Sequence, residues 1–150
     1  MMVRKNQVIL IVEDSPVDYE TTIRALKKAG VSNNIQHCED GDQALDYLFH
    51  RGSYNDRNKY PLPGLILLDL NLPGTDGREV LAELKGCDEL KKIPVIVLTT
   101  SSDEKDIEQC YEYGANSYIQ KPVDIEGFFT AIERLTNYWL EIVLLPNNSE

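Results

Sequence analysis

The sequence predicts an α/β domain with a doubly wound, five-stranded parallel sheet, and two patterns carry that reading. Short apolar runs such as Ile9-Leu10-Ile11-Val12, Leu65-Ile66-Leu67-Leu68 and Val95-Ile96-Val97-Leu98 are apolar on both faces, as buried parallel strands are. Each run is followed by a segment with helical periodicity, five times in all, over short connections. Right-handed crossovers then place helices on both sides of one sheet.

The elements follow in order. Strand one starts at about Val8, and Ser15 is the expected N-cap of the first helix, with Pro16 at its first position and Asp18 and Glu20 in its first turn. Ile23 and Leu26 face inward, and Gly30 stops the helix. A weaker strand, Ile35 to Cys38, leads through Asp40-Gly41 to a helix with the stripe Ala44, Leu45, Leu48 and Phe49. Residues 51 to 63, dense in Asn, Asp, Gly and Pro, read as a loop. Its Tyr54 and Tyr60 fit a partner contact or simple loop packing equally well.

The third helix carries Val80, Leu81 and Leu84. The fourth starts around Ser101 to Glu104, turns Ile107, Cys110 and Tyr111 inward, and stops at Gly114. Strand five is Ser117 to Gln120, ended by Lys121-Pro122, and the fifth helix shows Phe128, Ile132 and Leu135 at helical spacing.

One domain fills the 150 residues. The net charge of -10 argues against a nucleic-acid partner, and no apolar run approaches the ~20 residues of a membrane span. Cys38, Cys87 and Cys110 lack metal or disulfide spacing, which points to free thiols and the cytoplasm. His37 and His50 are isolated.

The chemistry gathers at strand ends. Strand one runs into Glu13-Asp14, strand three into Asp69, strand four into Thr99-Thr100 and strand five into Lys121. In open α/β sheets functional groups collect just beyond such carboxyl ends. Two carboxylates about 4 Å apart repel by roughly 4 kcal/mol at an effective dielectric near 20. Glu13, Asp14 and Asp69 therefore call for protons, a cation or a lysine. An all-oxygen cluster selects a hard ion, Mg²⁺ above all, with Mn²⁺ or Ca²⁺ as substitutes. Such a site suits formation of an aspartyl phosphate, with Lys121 and the Thr99 hydroxyl on the phosphoryl oxygens.

Glu13-Asp14, the Leu68-Asp69-Leu70-Asn71-Leu72-Pro73 run with Asp76-Gly77, Leu98-Thr99, and Gly114 to Pro122 together resemble the receiver domain of two-component response regulators over about residues 8 to 136. The resemblance implies a flavodoxin-like sheet of order 2-1-3-4-5 with five helices. It implies Asp69 as phosphoacceptor, and Mg²⁺ on Asp14, Asp69 and the Asn71 backbone carbonyl, with Glu13 acting through water. Thr99 and Tyr118 match the switch pair, and Lys121-Pro122 the lysine whose bond to proline is usually cis. Arg78-Glu79-Val80-Leu81-Ala82-Glu83 and Trp139-Leu140-Glu141 extend the similarity to small response regulators that partner phytochrome-type histidine kinases.

Only residues 123 to 150 follow Lys121-Pro122, which leaves signalling by protein contact or onward phosphotransfer to a downstream protein. The apolar extension, residues 137 to 150, is expected to form a homodimer interface through Trp139, Leu140 and Val143, with packing on its own domain as the alternative. Two other functions compete. A Mg²⁺-dependent phosphohydrolase wants an acid two residues past the nucleophile, where Asn71 stands. A flavodoxin-like FMN carrier wants a phosphate loop where Glu13-Asp14 would repel it.

Overall fold

The computed structural model describes residues 7–141. Five strands, β1 (Val8–Val12), β2 (Ile35–Cys38), β3 (Pro63–Leu68), β4 (Val95–Thr99) and β5 (Ser117–Gln120), alternate with α1 (Pro16–Lys28), α2 (Gly41–Leu48), α3 (Gly77–Lys85), α4 (Glu104–Tyr113) and α5 (Ile125–Glu141). All pairings are parallel, in the order β2-β1-β3-β4-β5, as expected.

Side chains alternate across each strand and so build two cores. Leu10, Val12, Ile66, Leu68, Val95 and Val97 face α2, α3 and α4. Ile9, Ile11, Leu65, Leu67, Ile96 and Leu98 face α1 and α5. The central runs are apolar throughout because both faces are covered. Each large buried side chain contributes roughly 1.5–3 kcal/mol over an exposed one.

Helix starts follow their caps. Ser15 accepts from the Asp18 N–H, Asp40 from Gln43, Asp76 from Arg78 and Asp103 from Lys105, each satisfying an end N–H that the helix itself leaves open. Gly114 closes α4 in the left-handed region, at φ 109°.

Three expectations change. Tyr111 does not face inward: half of it is exposed, and its hydroxyl accepts the Tyr118 N–H. β5 is an edge strand, so its outer N–H groups need partners, and an aromatic hydroxyl on α4 supplies one. The Lys121–Pro122 peptide is trans, the isomer favoured by about 0.5–1 kcal/mol at X–Pro bonds.

Trp139 is the third. It does not start a separate C-terminal extension, since α5 continues through it as one helix and the residue 136/137 boundary falls inside that helix, and its ring follows the alternative of packing on its own domain. Its ring is 7 % exposed and seals the α1/α5 core with Ile9, Leu26, Leu65 and Leu67. Phe128, Ile132, Leu135 and Trp139 continue one apolar stripe, which is why the ring turns inward. The Leu140 side chain and Val143 lie outside the described residues.

The 51–63 loop packs on its own domain. Tyr54 and Tyr60 lie 5.4 and 5.6 Å from the Tyr47 ring and 4.8 Å from each other, edge-on or tilted. The Tyr47 hydroxyl donates to the Pro61 carbonyl, and a Gly52–Tyr54 3-10 turn shapes the entry.

Candidate functional site

Register builds the site. Val12 pairs with Leu68, so Glu13 and Asp69 leave neighbouring strands side by side. The ladder continues one step further: the Glu13 N–H donates to Cys38 O and the Asp69 N–H to Val12 O, both pinned before the chain turns. Thr99 ends β4, and its carbonyl accepts the Lys121 N–H at 2.7 Å, bringing the end of β5 to the same edge.

Glu13, Asp14 and Asp69 each offer a carboxylate oxygen within 4.8 Å of the others. Asp14 is exposed, whereas Glu13 and Asp69 are buried. The set has only oxygen donors, with an open side at Asp14, and it fits a hard divalent cation that keeps part of its water.

Lys121 lies almost wholly buried between carboxylates. Its ammonium donates to Glu13 Oε1 at 2.7 Å, Asp18 Oδ2 at 2.8 Å and Asp69 Oδ2 at 3.1 Å. Burial opposes the charged lysine, but the bonds to Asp18 and Glu13 and the charge of Asp69 outweigh it and hold its pKa above the usual range. Glu13 goes the other way from an ordinary paired acid. Burial raises its carboxyl to about 7 despite the hydrogen bond and charge of Lys121, and the Asp69 charge adds to the rise.

The flanking loop is held by backbone bonds. The Asn71 N–H donates to Asp69 Oδ1 at 3.2 Å, and the Gly77 N–H to the Leu70 carbonyl. A Cβ on Gly77 would stand 2.3 Å from the Asp69 carbonyl oxygen, so only glycine lets α3 start this close. Asn71 carries an amide where a phosphohydrolase wants a second acid.

Thr99 is fully buried at the site, with a long 3.5 Å contact from Asn71 Nδ2 to its hydroxyl. Tyr118 is half-buried, and its hydroxyl donates to the Ser101 carbonyl at 3.0 Å. Glu13, Asp14, Asp69, Asn71, Thr99 and Lys121 thus share one edge of the sheet, and Tyr118 is tied to the loop after Thr99. Trp139 stands apart in the α1/α5 core.

Three contributors were not singled out from the sequence. Asp18 reads there as a helix-dipole residue, yet its carboxylate reaches Lys121. His37 places a ring nitrogen 2.8 Å from the Glu13 carbonyl oxygen, with Tyr19 stacked on it at 3.6 Å, and so holds the β1–α1 turn. Arg78 forms a bidentate pair with Asp106 at 2.7 Å on both arms, and Ser101 donates to the same carboxylate. That cluster joins α3, α4 and the loop after Thr99. Asp18 had a local sequence signal, an acid one turn past the Glu13-Asp14 pair, and Arg78 stands in the Arg78–Glu83 run, but nothing in the sequence pairs it with Asp106.

The family model of the response regulator receiver domain matches residues 9–133. Response regulator Rcp1 of Synechocystis sp. is 43 % identical over 140 residues, covering 93 % of each chain. The structure of the phosphorylated cyanobacterial phytochrome response regulator RcpA superposes with a TM-score of 0.89 at 39 % identity, covering 95 % of this chain and 99 % of that one. The Mn²⁺-bound form of Rcp1 gives 0.88 at 42 % identity, covering 94 % and 99 %. With the strand order and carboxylate edge described above, these matches make the chain a member of the response regulator receiver domain family.

Proposed function

We propose that this receiver takes a phosphoryl group from a histidine kinase onto Asp69 and signals through the resulting change in its surface. The observation that carries the reading is Asp69 itself, a buried carboxylate with one oxygen on the Asn71 N–H and the other on Lys121. In the transfer, an Asp69 oxygen forms the new P–O bond while the P–N bond to the kinase histidine breaks, and the freed imidazole keeps the electron pair. Asp14, Asp69 and the Asn71 carbonyl, with Glu13 through water, would hold a divalent cation, which would supply neutralising charge to the phosphoryl oxygens.

Lys121 then pairs with a phosphoryl oxygen, and the Thr99 hydroxyl donates to another. Movement of Thr99 draws on the loop through Ser101, to which Tyr118 is bonded, and so reaches the exposed edge strand. Hydrolysis of the acyl phosphate at the same site resets the protein.

The similarity to the phytochrome response regulator RcpA along nearly the whole chain supports a phytochrome-type kinase as donor, and the free thiols of Cys38, Cys87 and Cys110 support a cytoplasmic setting. A homodimer through the α4 and α5 face, with Leu140 and Val143, is the proposed output form. The exposed rings of Tyr111 and Tyr138 support that face. A phosphotransfer protein downstream is the other outlet.

The test is phosphorylation by acetyl phosphate or a phosphorylated kinase with Mg²⁺, followed by intact mass. Wild type gains one phosphoryl group and Asp69→Asn gains none. Equal labelling of the variant removes Asp69 as acceptor.

A further inference from the structure

We propose that Asp18 is a positioning residue of this site: it holds the Lys121 ammonium in a resting position and competes with the phosphoryl group for it. The inference rests on the reading of Asp69 as acceptor.

An ammonium has three donors, and here each has its own carboxylate, on Glu13, Asp18 and Asp69. A phosphoryl oxygen that takes a bond from Lys121 must therefore displace one of them. The three are not equal. The Glu13 and Asp69 side chains are 5 % and 8 % exposed, and releasing either strands a carboxylate away from water. Asp18 is 30 % exposed and can be rehydrated.

Asp18 also sits in the first turn of α1, where the helix end favours a negative charge without help from a lysine. Its bond to Lys121 is shorter than that of Asp69, 2.8 against 3.1 Å, so the resting ammonium is drawn toward α1. When the phosphoryl group arrives, the donor on Asp18 is the one that transfers. Asp18 thereby sets how readily Lys121 is released to the phosphoryl group.

The test is calorimetric binding of beryllofluoride with Mg²⁺, a phosphoryl mimic, to the full chain. Asp18→Asn, whose amide oxygen still accepts from Lys121 but without the charge, is expected to bind it roughly three- to tenfold more tightly, the size of one ordinary net hydrogen bond. Asp18→Glu, which keeps a carboxylate beside Nζ, stays within about twofold of wild type by the same measure. Glu20→Gln, an equal charge change on the exposed side of α1, leaves binding unaltered.

Unchanged or weaker binding by Asp18→Asn overturns the proposal, as does Asp18→Glu behaving like Asp18→Asn. A gain in Glu20→Gln equal to that in Asp18→Asn assigns the effect to net charge and overturns it as well. Beryllofluoride binding that survives Asp69→Asn instead brings down the acceptor reading beneath it.

Discussion

Lys121 Nζ stands 2.7 Å from Glu13 Oε1, a buried bond between residues 108 positions apart that ties the end of β5 to the end of β1. The pair is one arm of a cation shared by three carboxylates. Such a cation is worth most as the group whose loss leaves its partners uncompensated.

Lys121→Met should therefore destabilise the metal-free protein by about 3–5 kcal/mol, since it strands Glu13 and Asp69 in the interior. Mg²⁺ supplies replacement charge at the same carboxylates, so millimolar Mg²⁺ should restore much of the loss. Urea unfolding with and without Mg²⁺ measures both. A variant as stable as wild type without metal would show that the three bonds are energetically idle.

Glu13 gives the site a pH dependence of definite sign. Its carboxyl is raised from 4.5 to about 7 by burial, so between those values the folded chain holds a proton that the unfolded chain releases. The Glu13 contribution to metal-free stability is thus fully present below 4.5 and is lost as pH rises through about 7. Mg²⁺ binding should move oppositely. It requires the carboxylate, so affinity should climb by up to about tenfold per pH unit and level off above the Glu13 pKa. Calorimetric Mg²⁺ titrations on either side of neutrality read the slope, and a flat profile would separate Glu13 from the ion.

Much of this site was legible in the sequence because its residues end strands. A parallel strand apolar on both faces is easy to recognise, and the first polar residue beyond it is confined to one edge of the sheet. Glu13, Asp69 and Thr99 were found in that way, whereas Lys121, which follows the short, partly polar strand Ser117–Gln120, stood out as the cation that the carboxylates call for. Asp18 was not, because an acid in a first helical turn already has a sufficient local explanation. The Arg78–Asp106 pair was hidden for a different reason: it joins two helices whose relative placement depends on tertiary packing. Tyr54 and Tyr60 show the same limit, since only the folded chain brings them to Tyr47.

Gly77 marks where the backbone itself limits the site. An added Cβ meets the Asp69 carbonyl oxygen at 2.3 Å and Leu70 Cα at 2.6 Å, both main-chain atoms that cannot rotate away. Gly77→Ala should cost about 1–3 kcal/mol and push α3 off the Asp69 loop. The distinctive outcome is weaker Mg²⁺ binding in a chain that still folds, because Asp69 loses its register with Glu13 and Asp14. Thermal unfolding combined with Mg²⁺ titration checks both parts.

Trp139 is the single tryptophan of the chain, and it reports on the α1/α5 core rather than on a subunit boundary. Its ring covers Leu26, Leu65 and Leu67 at the far end of α5, so its native emission should be blue-shifted and move to the red on unfolding. Trp139→Ala should remove about 3–5 kcal/mol of stability, as large aromatic truncations in cores do. A core ring and a dimer anchor differ in one observable. The emission of a buried core tryptophan is independent of protein concentration, and sedimentation of Trp139→Ala should match that of the wild type wherever the variant remains folded. Emission that shifts with dilution would place the ring between two copies of the chain, and the intramolecular packing of α5 would then have to give way.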